Sequence, residues 1–163
     1  MKETSATPTE CAQEILEVVP LILRAMRAEM RREPRLDLSL PQFRALTTLS
    51  RMEGPSLSDL ARCLGLSLPS TSKVVDSLVA RRLVSRQQDP RNRRRLTLGL
   101  TPEGQQTLSR VRAATLEEFS RSLRVASAED RQAILRAMGV LREAFPNSPR
   151  NLVLSESGTS ASP

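Results

Sequence analysis

Apolar residues recur at helical spacing through most of the chain. Ile15, Leu16, Val19, Ile22, Leu23, Met26 and Met30 form one stripe, with Glu14, Glu17, Arg24, Arg27 and Glu29 on the other faces. This pattern predicts a long amphipathic helix near the N-terminus. Pro20 lies inside it and is expected to kink or restart it. Ser39-Leu-Pro-Gln42 has the form of a capping box with Pro in the first turn. It opens a helix through Phe43, Leu46 and Leu49 that stops by Gly54-Pro55. Ser56-Leu-Ser-Asp59 repeats the cap and starts a short helix through Leu57, Leu60, Ala61 and Leu64. Gly65 then sits where a left-handed residue ends a helix.

Ser67 is placed to cap a third helix, with Pro69 in its first turn and Thr71, Val74, Val75 and Leu78 at i, i+3, i+4 and i+7. Its other face carries Ser70, Ser72, Lys73 and Ser77, with Asp76 as the one acid. Two helices joined by the tight Gly65-Leu66-Ser67 turn make a candidate helix-turn-helix. Leu83 to Arg86 and Arg95 to Leu100 read as strands, joined by the turn-prone Gln88-Asp-Pro-Arg-Asn92. Thr101-Pro-Glu103 caps a long helix through Leu108, Val111, Leu116, Phe119 and Leu123. Ser127 to Asp130 opens a last one through Ile134, Leu135, Met138, Leu141 and Phe145.

The expected fold is therefore mainly α with a small β-wing, a winged helix-turn-helix with N- and C-terminal dimerisation helices. Polar tails are expected at 1–8 and 146–163, around a single domain at 9–145. Within it, 39–101 would form the winged helix-turn-helix, and 9–32 and 102–145 the dimerisation helices. The outer helices carry more apolar stripe than so small a core can cover, so they are expected to bury it against a second copy of the chain.

Charge sharpens this picture. The 163 residues carry a net charge of +7, and 23 of the 25 basic residues are arginine. Between Arg81 and Arg95 there are seven arginines against Asp89 alone, a balance of +6 in fifteen residues. A polyanion is the first partner to consider. With only three aromatic residues, Phe43, Phe119 and Phe145, base stacking on a single strand is poorly served, so the expected partner is duplex DNA. The chain has no His, Trp or Tyr, which removes imidazole triads and histidine metal sites. Glu117-Glu118 and Glu129-Asp130 are paired only in sequence, with no phosphate loop or metal spacing beside them. No enzyme and no cofactor are expected. Cys11 and Cys63 are too few for a disulfide scaffold, no secretion signal opens the chain, and no apolar run is long enough for a membrane span. A reducing cytoplasm is the expected compartment.

Two stretches carry a family resemblance. Leu40-Pro-Gln-Phe-Arg-Ala-Leu46, and Asp89-Pro-Arg-Asn-Arg-Arg-Arg-Leu-Thr-Leu-Gly-Leu-Thr-Pro-Glu-Gly104, resemble the second-helix and wing signatures of the multiple-antibiotic-resistance regulator (MarR) family of bacterial transcription factors. The resemblance spans about Ile15 to Phe145. It implies a homodimer held by the first, fifth and sixth helices, with recognition helices in successive major grooves and wings in the flanking minor grooves. Two positions depart from the family pattern: Asn92 stands where an acid usually precedes the key wing arginine, Arg94, and Arg82 stands where Gly usually precedes the first wing strand. A non-glycine there either changes the helix cap or adopts a left-handed conformation.

The site expected from these residues has three parts. Ser67, Pro69, Ser70, Ser72 and Lys73 form the recognition face, since hydroxyls and an ammonium at a helix N-terminus suit phosphate and base-edge hydrogen bonding. Arg86, Arg91, Arg93, Arg94 and Arg95 form the wing set, with Arg94 first for insertion into a narrow minor groove. Arg62 and Arg81 are candidate phosphate contacts. The function expected is a dimeric, sequence-specific regulator of double-stranded DNA, a repressor at a pseudo-palindromic operator, released by a small-molecule effector. Phe43, Met26 and Phe119 are candidates to line the effector space. The alternatives are a winged-helix protein-interaction module without DNA binding and a redox sensor using Cys11. The resemblance supplies the second, although the tyrosines that assist that branch are absent. Cys63 is expected to be a partly buried packing residue.

Overall fold

The computed structural model of the chain describes residues 6–32, 38–89 and 92–145. Along it run α1 (Pro8–Arg32), α2 (Leu40–Leu49), α3 (Leu57–Leu64), α4 (Leu68–Ala80), β1 (Val84–Asp89), β2 (Asn92–Leu100), α5 (Pro102–Ser122) and α6 (Ala128–Ala144). A 3-10 turn at Leu123–Val125 separates the last two helices. The architecture is mainly α with one antiparallel hairpin, as the pattern predicts.

Local chemistry sets the element starts. Reciprocal capping boxes close α2 (Ser39 with Gln42), α3 (Ser56 with Asp59) and α6 (Ser127 with Asp130). Hydrogen bonds from the Ser127 hydroxyl and backbone hold the Asp130 carboxyl below its ordinary value. Gly65 ends α3 at φ 65°, and the amide of Leu66 donates back to the carbonyl of Ala61.

The structure departs from the reading in three details. α1 runs as one helix through Pro20 rather than restarting there. Proline removes one backbone bond, to the Leu16 carbonyl, on a stretch where Leu16, Val18, Val19, Leu21 and Ile22 are all exposed, so water can satisfy that carbonyl. The helix also begins at Pro8, where the Thr7 hydroxyl accepts from the amide of Glu10, while residues 1–5 and 146–163 of the expected tails lie outside the described residues. Finally, both strands run further than predicted. Their register is regular from Val84 opposite Leu100 to Gln88 opposite Leu96, and then shifts so that Asp89 faces Asn92. Arg93, Arg94 and Arg95 on β2 thus have no counterpart on β1.

The core lies in the middle of the chain. Leu46, Leu60, Thr71, Val75, Leu78 and Leu108 are its largest fully buried side chains, drawn from α2, α3, α4 and the first turns of α5. The hairpin joins it through Leu83, Val84 and Leu98, and the amide of Leu98 donates to the carbonyl of Pro55 at 2.8 Å. The outer helices contribute little: Met30 is the buried residue of α1, and α6 buries none. Leu16, Leu116, Leu135 and Val140 are each about two-thirds or more exposed, an unpartnered apolar surface along α1, α5 and α6.

The junction of α4 and β1 settles the departure at Arg82. The amide of Leu83 donates to the carbonyl of Leu78 and that of Arg82 to Val79, both at 2.9 Å, and Leu83 meets Leu78 in the core. This is a Schellman ending, and it forces Arg82 to φ 57°, the one non-glycine residue with positive φ among those described. An L-residue is strained there. Arg82→Gly is therefore expected to raise stability by about 1 kcal/mol, or about 3 °C in Tm. An unchanged or lower Tm in a thermal melt would contradict this.

Candidate nucleic-acid interface

Because α3 is only eight residues long and Gly65 reverses the chain at its end, α4 starts immediately beside it with its N-terminus outward. Ser67 is the N-cap, its Oγ accepting from the amide of Ser70 at 3.3 Å and donating to the Ser70 hydroxyl at 2.9 Å. Thr71 instead points inward, buried, and its hydroxyl donates to the carbonyl of Ser67. Ser67, Leu68, Pro69, Ser70 and Lys73 are all exposed. The first turn holds no acid, and among the described residues Lys73 makes no ion pair. The result is two helical turns of hydroxyls, one ammonium and a positive helix terminus facing solvent, a surface suited to accepting polyanion oxygens.

Deeper along α4, the face is organised by side-chain bonds. Ser72 is half-buried and donates to Asp76 at 3.3 Å. Arg86 on β1 forms an ion pair with Asp76 at 2.5 Å. This pair neutralises the one acid on the outer face of α4 and ties the hairpin to the helix. Gln42, through its Nε2, donates to the Ser77 hydroxyl at 2.8 Å, which fixes α4 against the start of α2.

The expected site residues therefore fall into separate groups. Ser67, Pro69, Ser70 and Lys73 come together at the N-terminus of α4. Arg86 is near them but already holds Asp76, and Arg62 on α3 holds Asp59 at 2.7 Å, so both would have to share or exchange a carboxylate to meet a phosphate. Arg81 caps the other end of α4, about 20 Å from Ser67 by helix rise. It cannot serve the same base pairs. Arg93, Arg94 and Arg95 fall on β2, and Arg91 lies outside the described residues. Leu68, 49% exposed, was missed. It shares the periodic stripe of Thr71, Val75 and Leu78, which assigns it to the core, but its place in the first turn carries it past the core's edge.

Elsewhere, Cys11 is exposed on α1 and Cys63 is buried, with its Sγ 3.8 Å from the sulfur of Met52. A cavity of about 320 Å³ lies between α2 and α5, lined by Phe43, Arg112, Ala113, Thr115, Leu116 and Phe119. Met26 does not line it but packs against the core. No helix among the described residues is long and apolar enough to cross a membrane.

Residues 36–95, from just before α2 into β2, match the profile of the MarR family. Over that stretch the chain is similar to the MarR family. Among curated proteins it is similar to the HTH-type transcriptional regulator YfiV of Bacillus subtilis (strain 168), 28% identical over 116 residues, covering 71% of this chain and 72% of the relative. Among solved structures it resembles Rv1404 from Mycobacterium tuberculosis, with 25% identity, TM-score 0.74 and coverage of 86% of this chain and 95% of the other. It shares its fold with the transcriptional repressor CouR, solved on a 23-mer DNA duplex, at 23% identity, TM-score 0.66 and coverage of 86% and 96%.

Proposed function

We propose that this chain is a homodimeric MarR-family repressor that reads double-stranded DNA by placing the N-terminus of α4 in the major groove and the tip of the hairpin in the adjacent minor groove. The observation that carries the reading is the exposed, acid-free start of α4, with Ser67, Ser70 and Lys73 turned outward, beside a hairpin rich in arginine. Serine hydroxyls and Lys73 contact phosphates and base edges, and Leu68 with Pro69 supplies an apolar contact of the kind that recognises a thymine methyl. Arg94, flanked by Arg91, Arg93 and Arg95, enters the minor groove, and the CouR complex supports a duplex as the ligand. Residues 39–101 act as the reading module, and 9–32 and 102–145 as the dimerisation helices. Two half-sites about 34 Å apart follow from the two-fold axis.

Release by a small-molecule effector fits the cavity between α2 and α5. There Phe43, Leu116 and Phe119 provide apolar walls and Arg112 a cation, and a ligand bound there would act on α2, which contacts α4 through Gln42.

A pair of substitutions tests the division of roles. Lys73→Ala should alter which duplex is preferred, by about 1 to 3 kcal/mol at the affected base pair. Arg94→Ala should weaken binding to all duplexes and lower the log-log salt slope by about 0.9. Fluorescence anisotropy across a salt series reads both. If Arg94→Ala matched the parent at every salt concentration, the wing would not be a contact.

A further inference from the structure

A serine hydroxyl has one proton and two lone pairs, so on a helix facing a duplex it can donate to a keto oxygen or accept from an amino group, and by itself it distinguishes neither. The hydroxyls along α4 are not left in that state. Thr71 and Ser77 give their protons to the carbonyls of Ser67 and Val74. Ser72 gives its proton to a carboxylate instead. Its Oγ donates to Oδ2 of Asp76 at 3.3 Å, while the other oxygen, Oδ1, holds Arg86 at 2.5 Å. Ser72 and Asp76 stand one turn apart on the side of α4 that also carries Leu68, and Leu68 and Asp76 are both exposed. An ionised carboxylate only accepts and a guanidinium only donates. Arg86 therefore fixes one end of Asp76, and Asp76 fixes the proton of Ser72, so that what Ser72 has left to offer a ligand is its lone pairs.

We propose that Asp76 is a positioning residue that sets base preference: it makes Ser72 an acceptor, which selects the amino bases adenine and cytosine over the keto bases guanine and thymine at one position of one strand. This rests on the reading above that α4 enters the major groove. There each base pair presents one amino group, N6 of adenine or N4 of cytosine, with the keto oxygen on the opposite base. A Ser72 oxygen whose proton points back to Asp76 meets the amino group as a hydrogen bond and the keto oxygen as lone pair against lone pair. Lys73 beside it carries donors alone and cannot make this distinction. Through Arg86 the hairpin takes part in base choice without touching a base. In Asp76→Asn the side chain keeps one acceptor oxygen, and Arg86, a donor only, takes it. The amide nitrogen then faces Ser72, whose oxygen accepts from it and whose proton turns outward, so the preference inverts.

The test uses wild type, Asp76→Asn and Ser72→Ala, each with matching circular dichroism, to select duplexes from a pool with a randomised central segment. The wild-type motif is expected to hold a position confined to A or C on one strand, preferred over G or T by about tenfold, the worth of about one hydrogen bond. Asp76→Asn is expected to favour G or T at that position by a similar factor, and Ser72→Ala to accept all four bases there, with the rest of the motif unchanged in both. A position that a merely structural change disturbs does not invert. A wild-type motif without such a position, or one that both substitutions leave unaltered, overturns the role of Asp76 and leaves DNA binding in place. If wild type enriches no motif at all, the sequence-reading function fails and this inference with it.

Discussion

Gly104→Ala is expected to lower stability by about 3 kcal/mol, a fall in Tm of about 10 °C. The reason is geometric. A Cβ at position 104 would stand 2.0 Å from the carbonyl oxygen of Leu83, 2.9 Å from its carbonyl carbon and 3.2 Å from its Cα. All three are backbone atoms at the start of the hairpin, so no side chain can swing aside. To admit the methyl group, the first turn of α5 must lift away. It would then lose the bonds from the amide of Thr101 to Leu83 and from the Thr101 hydroxyl to the carbonyl of Arg82. Because Leu83 and Val84 are core residues, the damage reaches the packing that orients the wing. Thermal unfolding by circular dichroism measures the effect. A Tm within about 2 °C of the parent would mean that α5 is not docked on Leu83 as described.

The second large effect concerns assembly. Leu16 on α1 and Leu135 on α6 are 74% and 64% exposed, although each belongs to an apolar stripe long enough to specify a buried helix face. Leu16→Asp/Leu135→Asp is expected to convert a dimer of about 36 kDa, twice the chain mass of 18.1 kDa, into a monomer with its helical signal intact. Operator affinity should fall by about a hundredfold to ten-thousandfold, because the second half-site is no longer presented at high effective concentration. Light scattering after size exclusion reads the mass, and anisotropy reads the affinity. A parent protein that is already monomeric at micromolar concentration would remove the dimer from the account.

Much of this architecture is written locally. The boxes Ser39 to Gln42, Ser56 to Asp59 and Ser127 to Asp130 each fix a helix start within four residues, and Gly65 marks the turn between α3 and α4, so the helix-turn-helix could be read from the chain. The hairpin was read too short. Beyond Arg86, Gln87 and Gln88 are exposed and pair with Thr97 and Leu96, and without an apolar face there is no alternation to see. Pro20 misled for a related reason, since its cost depends on whether the orphaned carbonyl meets water, and that depends on the tertiary placement of α1. The site followed the same division. Ser67, Ser70 and Lys73 were legible because a helix face follows from spacing, whereas the Asp76 pair with Arg86 and the Gln42 bond to Ser77 join residues ten and thirty-five positions apart. Those contacts exist only once α2, α4 and the hairpin have packed.

The most direct test of the central claim is a salt-dependent fluorescence-anisotropy titration of the protein against the DNA flanking its own gene, with a shuffled duplex of equal length beside it. A repressor that reads sequence through α4 should prefer the native duplex by at least about a thousandfold at physiological salt, with binding that weakens steeply as salt rises. Absence of binding to either duplex would contradict it.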